Sequence, residues 1–200
     1  MKKTNILFIC IATVIAILFV LIPCPPADLI LRLNFDEIAG DYCSLYYTTD
    51  YSENFSDEQC IVSPIDSATK QVTFRLDGSL ENHITGIRLD FPVADDLICV
   101  KSITLSSAGV IQEEYNPCHF FTDANIALSN DAEITLVKPR NRAYIAAGGN
   151  DPFLILSESL TNQILNCYSH FRLTRLCICL FAAGCYLFAR KNLFSKKKIK

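Results

Sequence analysis

The stretch from Tyr46 to Glu58 holds the residues whose types and spacing best suit recognition chemistry: Tyr46, Tyr47, Tyr51 and Phe55 stand among Asp50, Glu53, Asp57 and Glu58. Flat rings beside carboxylates and amides are what a sugar-binding face uses, the ring covering an apolar sugar face while the oxygens accept from hydroxyls. Grouped carboxylates are also what a calcium loop uses, although this spacing does not match an EF-hand. Tyr46, Tyr47, Tyr51, Asp50 and Asp57 are therefore the candidate ligand-binding residues; no cofactor is expected, with structural calcium as the alternative. A plainer reading is that alternate rings fill a core while the acids keep a loop in water.

Catalysis needs groups that converge, and the sequence offers no such signature. His83, His119 and His170 are isolated, the acidic pairs Asp95-Asp96 and Glu113-Glu114 read as solvated turn charges, and no nucleophile-elbow, P-loop or dinucleotide motif occurs. The expectation is a protein that is not an enzyme. Cysteines and histidines do not cluster at zinc spacing. Arg88 and Asp90 flank Leu89, so on a strand they share one face; Arg75, on the preceding run, is placed to face Asp90 across a ladder. The simplest role for these charges is a structural ion pair at the core edge.

Of ten cysteines, Cys10, Cys177, Cys179 and Cys185 fall in uncharged runs where they act as small apolar residues. Cys43 and Cys60 lie on what read as successive strands, which allows a disulfide between them; two separate small core residues is the plainer and preferred reading. Cys99 and Cys118 could also pair, with less reason.

The elements that must position these residues are mostly strands. Runs at 42–49, 60–65, 71–76, 84–91 and 98–106 alternate or are rich in Tyr, Thr and branched residues, and turn chemistry separates them. The two runs inside Ile84 to Ser106 suggest a central pair of strands. Further strand-like runs follow Val110, Asn116, Asn125, Ala132, Arg142 and Phe153, while 27–39 fits a short helix or an opening strand. This series predicts a mainly β fold, an antiparallel β-sandwich of jelly-roll or Ig-like kind. From Ser159, a helix cap, the period becomes helical and continues towards the C-terminal apolar run.

Charge is segregated. All 21 acidic residues lie between Asp28 and Glu158, against eight basic ones in that interval, whereas the outer segments are purely basic. Residues 6–22 carry no charge and would span about 25 Å as a helix, close to a hydrocarbon core of about 30 Å. A second uncharged run, 176–189, would borrow length from 171–173 and let its flanking arginines reach the headgroups. Positive flanks stay cytoplasmic, so the expected arrangement is two transmembrane spans in the cell membrane, both termini cytoplasmic and the middle extracytoplasmic. A cleaved signal peptide is the rival reading of the N-terminus, although no small-x-small site precedes Cys24. The expected domains are an anchor at 1–24, an extracytoplasmic sandwich at 25–158, a helix continuing into the second span at 159–190 and a basic tail at 191–200. The acidic middle argues against nucleic acid as a partner.

Leu45-Tyr-Tyr, Asn54-Phe-Ser, Val72-Thr-Phe-Arg-Leu, Ile87-Arg-Leu-Asp-Phe-Pro and Ile103-Thr-Leu resemble the order of motifs in the carbohydrate-binding-module-like sandwiches that accompany bacterial membrane glycosyltransferases and surface-polysaccharide assembly proteins. The resemblance covers about 42–110 and includes no catalytic segment of a transferase. It implies an accessory binding or interaction module, with the membrane and either a glycan or a membrane glycosyltransferase as partners. The alternative is a structural subunit of a transporter or glycosyltransferase complex that acts through its transmembrane helices.

Overall fold

A computed structural model describes residues 27–50, 54–80, 82–93 and 97–168, with residue 184. Pro26–Tyr168 forms one compact unit. The two uncharged runs expected to span a membrane lie outside the described residues, Gly184 apart, as does the basic tail. No helix among the described residues is long and apolar enough to cross a membrane.

The unit is a sandwich of two antiparallel sheets. Its strands in chain order are β1 (Leu29–Glu37), β2 (Tyr42–Thr49), β3 (Cys60–Pro64), β4 (Gln71–Leu76), β5 (Ile84–Asp90), β6 (Ile98–Ser107), β7 (Val110–Tyr115), β8 (Ile126–Asn130), β9 (Ala132–Val137), β10 (Arg142–Ala147) and β11 (Phe153–Leu156). One sheet runs β4-β1-β6-β10-β9, with β7 also on β6; the other runs β3-β2-β5-β11-β8. β1 covers one edge of β6, and the other edge is divided between β10 at 98–100 and β7 at 103–107.

Alternation explains most of these strands. In β1, Leu29, Leu31, Leu33 and Phe35 are buried, with the less buried Ile30, Arg32 and Asn34 between them. A period of two puts all four on one face, where a helix would turn Leu31 away from Leu29 and Leu33. Segment 27–39 therefore resolves as an opening strand, each buried leucine contributing about 1.5–3 kcal/mol. The outer face of this sheet is polar: Asn34 Nδ2 donates to Ser102 Oγ at 2.9 Å, and Gln71 Nε2 to Asn34 Oδ1 at 2.6 Å.

Three expectations change. The runs at 84–91 and 98–106 do not pair: β5 lies in one sheet and β6 in the other, and 91–97 carries the chain between them. Each run only needs to bury one face, and facing a common core from opposite sides meets that need as well as pairing does. The 116–121 run is no strand but the one-turn helix Pro117–Phe120, because Asn116 Oδ1 accepts from Cys118 N at 2.9 Å and Pro117 suits a first helical position. That turn seats Phe120 and Phe121 fully in the core, their rings edge-to-face at 5.0 Å. The C-terminal helix starts at 158, and its cap is Ser157, whose Oγ accepts from Leu160 N at 3.3 Å, in place of Ser159.

The sandwich has two distinct ends. At one, Leu29 pairs with both Leu76 and Ser107; Ser107 Oγ donates to Ala27 O at 3.4 Å, and the Tyr168 hydroxyl donates to Leu76 O at 3.2 Å. The described chain enters and leaves here, closed over by the buried helix face of Leu160, Ile164, Leu165 and Tyr168. At the other end lie the β1–β2 connection, the last residues of β5 and the loop 148–152 that leads into β11.

Candidate functional site

The outer face of the second sheet carries an aromatic and charged cluster whose order follows from register. Tyr46, Arg88 and Ile155 form one cross-strand row, and Ser44, Asp90 and Phe153 the next. Their neighbours Leu45, Leu89 and Leu154 take the inward slots and are 0–1% exposed, which obliges these rows to face out. Arg88 is held on every side. Its Nε donates to Asp90 Oδ1 at 2.6 Å, its Nη2 to Asp90 Oδ2 at 2.7 Å and to Asp151 Oδ1 at 2.9 Å. Its guanidinium stands 3.8 Å from the Phe153 ring centroid and 5.1 Å from that of Tyr46, a stacked arrangement suited to a planar cation.

Beside this cluster, at the end of the sandwich opposite the chain exits, lies a cleft of about 400 Å³ lined by Tyr42, Ser44, Tyr46, Asp90, Val93, Asn150 and Asp151 among others. Two glycines directly precede lining residues, Gly149 before Asn150 and Gly40 before Asp41. Gly149 has φ +70°, and a Cβ there would meet the Asp131 carboxylate at 2.3 Å; the same carboxylate accepts from Asn150 N at 3.1 Å and Asp151 N at 3.4 Å. Asn130 Nδ2 adds a bond to Asp151 O at 2.8 Å. The hairpin between β8 and β9 thus fixes the loop that delivers Asp151 to Arg88. Gly40, at φ +100°, lets the β1–β2 connection pack on Pro92.

Electrostatically the cluster is acidic, one guanidinium between two carboxylates with Asp41 nearby. Burial lifts the Asp90 carboxyl above its ordinary range, more than the Arg88 bonds and charge draw it down, and the Asp151 charge adds to the rise. Burial opposes the Arg88 charge, yet the Asp90 bond and the two carboxylates outweigh it and hold the guanidinium firmly protonated. Tyr46 is pushed up to about 12, first by the Cys60 thiol beside its hydroxyl and then by burial and nearby acids. The cleft therefore presents neutral ring faces with carboxylate, amide and hydroxyl acceptors, a surface for hydroxyl-rich or cationic ligands. A second cleft, along β8 and β9, contains no aromatic ring.

Of the five residues singled out in the sequence, the four that are described, Tyr46, Tyr47, Asp50 and Asp57, do not gather in one place. Tyr46 lines the cleft, and its hydroxyl donates to Asp57 Oδ1 at 3.4 Å. Tyr47, the next residue, points the opposite way and packs against the core. Asp50 lies at the other end, 3.5 Å from His83 Nδ1. Tyr51 is outside the described residues. The Asp50 and Asp57 carboxylates do not converge, and among the described residues no three acidic, histidine or cysteine side chains are placed to hold a metal ion. Arg75 does not face Asp90: β4 belongs to the other sheet, and Arg75 pairs with Asp28.

Cys43 and Cys60 are both free. Register sets Cys43 opposite Ser63 and Cys60 opposite Tyr46, so one thiol points into the core and the other outward, and the bridge that neighbouring strands allowed is not made. Cys99 and Cys118 are free as well, Cys118 Sγ lying 3.2 Å from Arg142 O.

No family model, curated protein or solved structure matches this chain.

Asp151, Asn150 and Phe153 were not singled out in the sequence. Gly148-Gly-Asn-Asp-Pro152 reads only as a strand breaker, and Phe153 as the start of the strand-like run after it. The one available signal is an amide and an acid held in a glycine turn directly before an aromatic strand residue.

Proposed function

We propose that this chain is a membrane-tethered binding module that displays its β-sandwich outside the cytoplasm and takes a hydroxyl-rich ligand, an envelope glycan, in the cleft beside Arg88. The observation that carries this reading is the juxtaposition of the Tyr42 and Tyr46 rings with Ser44, Asn150 and Asp151 around one opening. Asp151 gives Arg88 one oxygen and is 58% exposed, which leaves acceptor capacity facing the cleft. Tethering is supported by the uncharged runs at 6–22 and 176–189 and by the basic flanks outside an acidic middle. The resemblance to carbohydrate-binding-module-like sandwiches points the same way.

The test is a glycan array probed with the full chain in detergent micelles, alongside Tyr46→Ala and Asp151→Ala. Binding to a defined subset of glycans, weakened at least tenfold by either substitution, is the expected result. Absence of binding to any glycan removes the sugar reading; binding indifferent to both substitutions moves the site elsewhere.

A further inference from the structure

The β6–β7 hairpin ends in a two-residue turn, Ala108-Gly109, with φ of +53° and +78°. Such turns favour Asn or Gly at the first position, because a polar side chain eases the left-handed conformation and suits water. The three other non-glycine residues at positive φ, Lys70, Asp131 and Asn141, are polar; Ala108 is the apolar exception among the described residues. Directly after it, Val110 is 54% and Ile111 65% exposed. From Ser102 to Gln112 no residue is charged. An exposed hairpin tip has thus lost the polar residues its backbone would favour and gained branched apolar ones.

Its place in the fold supplies the partner. Ser107, which opens the turn, pairs with Leu29 and bonds Ala27 O, and Leu29 pairs with Leu76, whose carbonyl holds the Tyr168 hydroxyl. The tip therefore stands at the end where the described chain enters and leaves. Only Pro23 to Pro26 separate Ala27 from the uncharged run ending at Ile22, so that stretch reaches at most about 17 Å. Asp28, the nearest acid, is already engaged by Arg75 and by Gly78 N.

We infer that the Ala108–Ile111 tip enters the interfacial region of a lipid bilayer and forms a third contact beside the two chain exits. This rests on the membrane-tethered reading for which end faces lipid. Branched side chains at a hairpin tip are removed from water there while the backbone at the turn stays among hydrated headgroups.

The chain contains no tryptophan, so each introduced one reports alone. Three full-length variants, Ile111→Trp, Val62→Trp and Leu18→Trp, are reconstituted in phosphatidylcholine vesicles with or without 6,7-dibrominated acyl chains. Val62 is 61% exposed on the edge strand β3 and serves as the water-facing control. The expected result is blue-shifted emission and at least a twofold loss of intensity in brominated lipid for Ile111→Trp, with neither for Val62→Trp. Emission and quenching of Ile111→Trp equal to those of Val62→Trp overturn the inference. Leu18→Trp judges the tether separately: its quenching supports the first span, and its failure to be quenched removes that reading whatever the hairpin reports. Val110→Trp repeats the measurement if the first hairpin variant does not fold.

Discussion

Arg88 and Asp90 stand two residues apart on one face of β5 and meet in a two-pronged ion pair, at 2.6 and 2.7 Å, with side chains only 18% and 17% exposed. Truncating one partner leaves the other partly buried and uncompensated. Arg88→Met keeps an apolar stem between the rings but strands the Asp90 carboxylate, and is expected to destabilise the fold by about 2 kcal/mol. Adding Asp90→Asn to Arg88→Met should recover part of that loss. Guanidinium unfolding of the full chain in micelles measures both; a single variant as stable as the parent contradicts the coupling.

Gly149 and Gly148 give a matched comparison. Alanine at 149 would hold a positive φ and drive its Cβ into the Asp131 carboxylate, whereas at 148 nothing lies within 4 Å. Gly149→Ala is expected to cost about 1–3 kcal/mol and to loosen the loop that presents Asp151, while Gly148→Ala stays within about 0.5 kcal/mol. Denaturation midpoints separate the two, and equal midpoints would remove Gly149 from its positioning role.

Acid titration should divide the aspartates by environment. Asp90 is raised by burial, so the folded state takes up its proton before the unfolded state does: its contribution to stability is full below the unfolded value of 3.8 and is lost as pH rises through its folded value. Asp66 and Asp77 are lowered, each by a side-chain bond from Thr69 or Ser79 and by backbone N–H groups. Their contributions are present above 3.8 and are lost as pH falls through their folded values. Carboxyl carbon shifts followed by NMR should place the Asp90 midpoint above those of Asp66 and Asp77, and the reverse order would refute the assignment.

Thiol reactivity gives an independent readout of burial. Cys43 is pushed up to about 12 by burial and then by the Asp90 charge, and Cys167 to about 11 by burial and then by Glu113. At pH 8 a maleimide should modify Cys60 in the native state and reach Cys43 and Cys167 only as the fold opens. Peptide mapping checks this, and rapid native labelling of Cys43 would be incompatible with its place in the core.

Strand positions were legible in the sequence because alternation is a local signal: Gln71–Leu76 carries Val72, Phe74 and Leu76 inward at every second place. Which strands pair was not, since β5 and β6 each bury one face whichever sheet they join. The site was half visible for the same reason. Arg88 and Asp90 share a face by spacing alone, but Asp151 lies 63 residues from Arg88 and arrives through a loop fixed by Asp131. Tyr46 and Tyr47 looked like one group, yet adjacent strand residues must face opposite ways.

The cleft and the two chain exits occupy opposite ends of the sandwich, which gives the domain a line of tension. Under the binding and tethering proposed above, a ligand pulling from the cleft against anchored exits would load β1 lengthwise between its ladders with β4 and β6. Those hydrogen bonds lie across the pull and share it in shear, so the strand resists as a unit and does not unzip bond by bond.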